Sequence, residues 1–266
     1  MVKRMPGPKP VSSPSPIPRF QPPIRALIFD FDGLMVDTET PALASWQQIY
    51  AEHGFSLALE EWAGALGTTH GFNALEHLLG LVSQADPARG AALRAEAEAL
   101  AARRQHLKEQ LSAGQGLLPG VTELLDQADA LGMPCAVASS SSLRWVGGWL
   151  ERLGIRARFR CLRTADDVER TKPDPALFLS AAACLGYPPA SCLVLEDSPN
   201  GIRAARAAGC PVVAVPSALT GQLTLPPADV VIPSLDAMPL TDLLAAVRAA
   251  RTATQGSPPG PPARTG

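Results

Sequence analysis

An apolar run that stops at two carboxylates constrains this chain more than any other feature. Residues 24–33 read IRALIFDFDG, so Ala26, Leu27, Ile28 and Phe29 lead directly into Asp30 and Asp32, with Gly33 behind them. A strand of this composition suits the interior of a sheet, where a carboxylate without a partner is expensive. Residues two apart on an extended chain point to the same side, so both acids leave the strand end aimed at a common point. Two acids placed in this way need a cation, a basic side chain or a shared proton between them.

The remainder of the chain says where that strand belongs. Residues 40–53, 70–82 and 87–112 carry Ala, Leu and charged residues at spacings of three and four, a helical period. AALRAEAEALAARRQHLKEQL, residues 91–111, is the clearest helix among them. Beyond LLPG at 117–120 strand and helix alternate. A strand near 134–138 precedes a helix over 142–152, and RFRCLR, DPALFLSAAACLG, CLVLED, SPNGIRAARAAG and PVVAV continue the series as strand, helix, strand, helix, strand. This alternation predicts an α/β fold with a parallel sheet covered on both faces. The economical division is a core made of 24–37 and 115–252, interrupted by a helical insertion over 38–114 with Gly116, Pro119 and Gly120 at the returning hinge. Insertions of this kind commonly act as lids over a site.

Charge and cysteine usage exclude several function classes. A formal net charge of −2 over 266 residues offers no broad surface for a polyanion, so no nucleic-acid partner is expected. No apolar stretch approaches the ~20 residues that a membrane span requires. Cys135, Cys161, Cys184, Cys192 and Cys210 are odd in number and never in CxxC spacing. They are expected to be reduced thiols in a cytoplasmic protein rather than disulfides or a zinc site. The Pro- and Ser-rich stretch 1–23 and the tail 253–266 read as disordered extensions without chemistry, and the prolines forbid an amphipathic presequence helix.

Within the alternating region, the polar residues that could carry chemistry fall at the carboxyl ends of the predicted strands, the edge at which open α/β sheets bind ligands. They are Asp30 and Asp32, then Ser139 to Ser142, then Lys172, then Glu196 and Asp197. Four carboxylates in one cleft repel one another and titrate high unless they share a cation. Oxygen-only ligation selects a hard ion, and Mg²⁺ needs few protein ligands. The competing reading makes these residues helix caps, and Asp197 before SPNGI fits it. Their joint convergence weighs against that reading. Ser139, at the head of a helix, suits a phosphate, whereas Ser140 to Ser142 read as N-cap serines. Lys172 is kept out of helical geometry by Pro173. In the helical insertion Gly67, Thr68, Thr69 and His70 are candidates to face the cleft, and Trp46 shares an apolar helix face with Ile49 and reads as core.

Taken together, DFDGLMVDTE at 30–39, the serine at 139, TKPDP around Lys172 and LEDSPNGIRAARAAG at 195–209 resemble the haloacid dehalogenase-type hydrolases. The resemblance is closest to the subgroup of β-phosphoglucomutase and small sugar-phosphate phosphatases, and spans roughly residues 24–235 in order. It implies a Rossmann-like core with a helical cap inserted after the first motif. It implies Asp30 as nucleophile, Asp32 as general acid then base, and Ser139 and Lys172 on the transferring phosphoryl group. Mg²⁺ would be held by Asp30, the Asp32 carbonyl and Asp197, assisted by Glu196. The substrate would be a small phosphorylated metabolite, with Gly67, Thr68 and His70 in contact with it, and the protein a monomer. Mutases of the subgroup carry a histidine and an arginine where this chain has Ala42 and His70. Loss of an arginine able to grip a second phosphate favours hydrolysis over the alternative, a phosphohexomutase. Receiver domains also gather acids, a hydroxyl and a lysine at strand ends, but lack both the inserted lid and the paired acids.

Overall fold

The computed structural model describes residues 22–68 and 71–256. The tail expectations for 1–21 and 257–266, and the candidate His70 with Thr69, lie outside these residues. Strand β1, Ala26–Phe29, is buried along its whole length. Its side chains alternate between two cores, with Leu27 and Phe29 in one and Ala26 and Ile28 in the other.

A helical block follows: α1 (Glu39–Glu52), α2 (Leu59–Trp62), α3 (Ala74–Ala85), α4 (Pro87–Ala95) and α5 (Ala97–Ser112). Local chemistry sets several of these boundaries. Asn73 caps α3 by accepting a hydrogen bond from the Glu76 N–H at 3.1 Å, so this helix starts later than the 70–82 expected. Asp86 caps α4 by accepting from Ala88 and Arg89 N–H at 3.0 and 3.1 Å, with Pro87 in the first turn. The single helix expected over 87–112 is broken at Glu96. No breaker residue marks that point; α4 packs on α3 while α5 packs on α1, and the chain must turn between them.

The chain then alternates: α6 (Val121–Ala130), β2 (Cys135–Ala138), α7 (Leu143–Arg152), β3 (Phe159–Arg163), α8 (Ala176–Leu185), β4 (Cys192–Glu196), α9 (Pro199–Ala207), β5 (Val212–Ala214), β6 (Val230–Val231) and α10 (Leu240–Gly256). The tail expected from residue 253 therefore begins inside a helix, because the first breaker after Leu240 is Gly256 itself. The sheet is parallel throughout, in the order β3-β2-β1-β4-β5-β6. The chain steps outward from β1 to β3 and then returns to the other side of β1. Beside β1, at the carboxyl ends, the connections diverge and a crevice opens.

Helices α6, α7 and α10 cover one face of the sheet and α8 and α9 the other. The helical block has a separate core around Trp46, Ile49, Tyr50, Leu78 and Leu79. Its two connections run side by side, since Leu118 N–H donates to the Met35 carbonyl at 2.9 Å.

One expectation about cysteine is overturned: Cys161 on β3 and Cys184 on α8 form a disulfide, 23 residues apart, whereas Cys135, Cys192 and Cys210 are free and buried. Spacing carried no sign of the pair, because only the packing of α8 over β2 and β3 brings the two residues together. No helix among the described residues is long and apolar enough to cross a membrane.

Candidate active site

Strand register delivers the acids. Phe29 pairs with Val137 of β2 and with Leu195 of β4, so the next residues outward are Asp30, Ala138 and Glu196, with Ser139 and Asp197 just beyond. Lys172 arrives from the connection after β3 and its side chain is fully buried. Its ammonium donates to Asp30 Oδ1 and, at 2.7 Å, to Glu196 Oε1. The second Glu196 oxygen accepts from the Ser198 N–H at 2.7 Å and its hydroxyl at 3.0 Å. Ser198, not Asp197, is the N-cap of α9, accepting from Gly201 N–H at 3.1 Å. Burial alone would lower the Lys172 ammonium, but the adjacent Asp30 and Glu196 carboxylates raise it and keep it charged. A buried ion cluster of this kind persists only when each member is compensated.

Asp32 is held by four donors. Thr38 Oγ1 and Trp145 Nε1 donate to its Oδ1 at 2.6 and 2.9 Å, and Ser139 Oγ and Ser141 Oγ to its Oδ2 at 3.1 and 2.7 Å. Burial pushes this carboxyl up, but the Lys108 charge and these hydrogen bonds outweigh it and hold the group below its ordinary range. Gly33 behind it has φ +90°, and a Cβ there would lie 2.3 Å from Asp197 Oδ2, so both conformation and space require glycine.

Asp30, Glu196 and Asp197 each offer an oxygen within 4.8 Å of the others. Burial, then Glu196 and Asp30, push the Asp197 carboxyl well above its ordinary range. Among the described residues its buried Oδ1 has no hydrogen-bond partner, and Oδ2 accepts only a 3.5 Å contact from Thr220 Oγ1. An oxygen-only set that keeps an orphaned buried carboxylate oxygen fits a hard divalent cation.

Above this floor lies a cavity of about 560 Å³ between the sheet edge and the helical block. Of the residues expected at the site, Asp30, Asp32, Gly67 and Thr68 line it directly. Ser139, Lys172, Glu196 and Asp197 lie buried beneath it, Ser139 and Lys172 bonded to the two aspartates. The helical block is latched to the core on this side. Ser140 Oγ donates to the Gly67 carbonyl at 2.8 Å and Asn200 Nδ2 to the Leu66 carbonyl at 2.9 Å. Gly67 has φ +71°, and a Cβ there would fall 2.2 Å from Ser198 Oγ. The serine run thus divides: Ser142 alone caps α7, accepting from Trp145 N–H at 3.3 Å, whereas Ser140 and Ser141 face the site. Three adjacent serines cannot all occupy one cap position, which corrects the N-cap reading for two of them.

Six residues of the site are new with the structure: Thr38, Ser141, Trp145, Glu39, Arg104 and Lys108. Glu39 sits in the DFDGLMVDTE motif, so its place was visible but not its use. Burial, then Asp32, raise its carboxyl to about 7 against the pull of Lys108 and Arg104. Arg104 and Lys108 share one face of α5, and burial lowers the Arg104 guanidinium to about 10. Trp46 is buried in the helical core as expected and also forms part of the cavity wall.

A family profile for haloacid dehalogenase-like hydrolases matches residues 24–209. YhcW of Bacillus subtilis (strain 168), provisionally named a phosphatase, is 41% identical over 221 residues, covering 83% of this chain and 96% of that protein. Hexitol phosphatase A of Escherichia coli (strain K12) is 31% identical over 217 residues, covering 82% of this chain and 94% of that protein. A mutant CbbY from Rhodobacter sphaeroides, solved in complex with xylulose-(1,5)bisphosphate, superposes with a TM-score of 0.62 at 26% identity, covering 80% of this chain and 95% of that one. With the match running from β1 through α9 and its motif residues meeting at one sheet edge, the chain belongs to the haloacid dehalogenase-like hydrolase family.

Proposed function

We propose that the protein is a phosphomonoester hydrolase for small phosphorylated metabolites such as sugar phosphates, working through a covalent phospho-Asp30 intermediate. The observation that carries this reading is the pairing of Asp30, lysine-neutralised and open to the cavity, with a second, separately oriented carboxylate on Asp32. In the first half-reaction Asp32, ionised in the free protein, takes up a proton as the anionic phosphate enters beside it. An Asp30 oxygen then bonds to phosphorus, the ester P–O bond breaks, and Asp32 gives that proton to the leaving oxygen. In the second, water gives a proton to Asp32 as its oxygen bonds to phosphorus. The P–O bond to Asp30 then breaks, restoring the carboxylate and releasing phosphate. Thr38, Ser141 and Trp145 fix the Asp32 carboxyl for both transfers, while the Ser139 hydroxyl, whose 3.1 Å bond to Asp32 is the longest of the four, would turn to the phosphoryl group. Lys172 and Ser139 offset the charge spread over the phosphoryl oxygens.

Asp30, Asp197 and the Asp32 carbonyl, with Glu196 beside them, would hold Mg²⁺, which when bound neutralises the phosphate so that an anionic nucleophile can approach it. The helical block serves as the cap that shuts bulk water out and selects the substrate. Ala42 lines the cavity at the place where mutases of the resembling subgroup carry a histidine, and a methyl group offers a substrate no polar contact there. This supports hydrolysis over isomerisation.

The test is phosphate release from a panel of sugar phosphates, with Mg²⁺ and with EDTA. Release should require the metal, and Asp30→Asn should lower kcat by about four orders of magnitude or more while the chain stays folded. Wild-type activity in that variant overturns the assignment. Isomerised product without free phosphate, from glucose 1-phosphate and a bisphosphate activator, identifies a mutase instead.

A further inference from the structure

The disulfide has no part in the chemistry above, yet it encloses a residue that does. Cys161 lies within β3 and Cys184 near the end of α8, so the bond spans a sequence separation of 23 with Lys172 close to its middle. Between β3 and α8, residues 164–175 form no strand and only a short 3₁₀ turn at Ala165–Asp167. The Asp167 and Asp174 N–H groups bond within this segment, to the Thr164 and Thr171 carbonyls, and Ala165 N–H reaches outside it to the Ser141 carbonyl at 3.0 Å. A segment with so little regular structure takes its place largely from what its ends are fixed to. Those ends are β3 and α8, and the disulfide ties the two together.

Helix α8 also stands directly behind the lysine. The Lys172 ammonium lies 4.9 Å from the centroid of the buried Phe178 ring, in the first turn of α8. The same ammonium must meet Asp30 and Glu196 together. Misplacing a group at a reaction centre by about 1 Å can cost about 10²-fold in rate, so a small movement of α8 is enough to be read in turnover. The bond is open to a reagent at one end, since Cys184 is half-buried whereas Cys161 is buried. Cys135, Cys192 and Cys210 are already free thiols, which leaves a reductant this one bond to act on.

We propose that the Cys161–Cys184 disulfide is a redox clamp on the segment that presents Lys172, so that reduction by a dithiol loosens the segment and lowers turnover. A thiolate of the dithiol bonds to Cys184 Sγ as the S–S bond breaks, and the Cys161 sulfur leaves as a thiolate that takes up a proton. The second thiolate of the reagent then closes its own disulfide and expels the Cys184 thiolate, which is protonated in turn. The protein disulfide thus gains two electrons and two protons, and the dithiol becomes a cyclic disulfide.

The test follows the full chain with Mg²⁺ before and after dithiothreitol, reading amide hydrogen exchange beside kcat. Under denaturing conditions the untreated protein should titrate three thiols and the reduced protein five. Reduction should lower kcat about fivefold or more and speed exchange over 164–175 about tenfold or more, with the helical block unchanged. Oxidised glutathione, which accepts the same electrons, should restore both. Cys184→Ser, at the half-buried end, and Cys161→Ser should each behave as the reduced protein and ignore dithiothreitol. Five thiols before treatment overturn the clamp, as does a reduced protein whose kcat and exchange over 164–175 match the untreated one. A lower Tm without those two changes makes the bond a structural staple and overturns the clamp as well. No phosphate release from the untreated chain defeats the hydrolase reading instead, and exchange over 164–175 still judges the clamp.

Discussion

The floor and the roof of the cavity treat charge in opposite ways. On the floor each charged group has its partner built in: Lys172 lies between Asp30 and Glu196, Glu196 also receives two bonds from Ser198, and Asp32 receives four donors. The exception is Asp197, whose orphaned oxygen marks the place for a cation. On the roof, Glu39, Arg104 and Lys108 influence one another through space without forming an ion pair among the described residues. The floor is thus organised before any ligand arrives, as a reaction common to many substrates requires, while the roof acts on it at a distance, through the Lys108 charge on Asp32. The strands hold the floor rigidly, and a helical block with its own core carries the roof.

Breaking the floor should have the largest effect. Lys172→Met leaves two buried carboxylates without their cation, and the variant should lose about 3–5 kcal/mol in urea unfolding along with its phosphatase activity. A variant as stable as wild type would mean that the floor is not charge-compensated by this residue.

The roof offers a sharper, pH-resolved contrast. The Glu39 carboxyl stands at about 7 in the folded chain against an ordinary 4.5. The folded state therefore binds this proton more tightly than the unfolded state, and its contribution favours folding below 4.5 and is lost as pH rises through 7. Glu39→Gln removes that loss. With metal stripped by EDTA, the variant should exceed wild type by about 1–3 kcal/mol near pH ~8 and match it near pH ~4.5. Equal stability at the higher pH would show that Glu39 ionises freely.

Where floor and roof meet stands Trp145, whose indole N–H serves Asp32 while its ring lies under Lys108. Trp145→Phe keeps the ring and deletes the donor. It should lower kcat about tenfold and move the acid-base limb of the pH–rate profile upward, because a carboxylate stripped of a donor titrates higher. An unmoved limb would assign the indole a packing role only. The smallest effect belongs on the outside of the roof. Arg103 and Glu52 form a two-point pair at 2.6 Å, yet both side chains face solvent, and Arg103→Ala should change stability by under about 1 kcal/mol.

Legibility followed the same division. Asp30, Ser139 and Glu196 were readable because each stands at the end of a short apolar strand, and period-2 alternation leaves little freedom in where such a residue points. Lys172, nine residues beyond β3, was readable only through TKPDP. The roof was not. Arg104 and Lys108 occur in ARRQHLKEQ among many charges of a helix whose buried face cannot be told from spacing alone, and the break at Glu96 follows from packing rather than composition. The disulfide between Cys161 and Cys184 was hidden for the same reason, since a strand and a helix on different parts of the chain had to meet first.

By itself the amino-acid sequence determined the parallel α/β core, the inserted helices and the aspartates, serine and lysine that gather at the sheet edge. These depend on hydrophobic period and on position at strand ends, both local properties. Tertiary structure alone decided that Lys172 binds Asp30 and Glu196, that Trp145 and Ser141 hold Asp32, and that α5 turns two cations toward the cavity. Those facts depend on which surfaces pack together, and a contact between residues as distant as Asp32 and Trp145 exists only once the chain has closed around it.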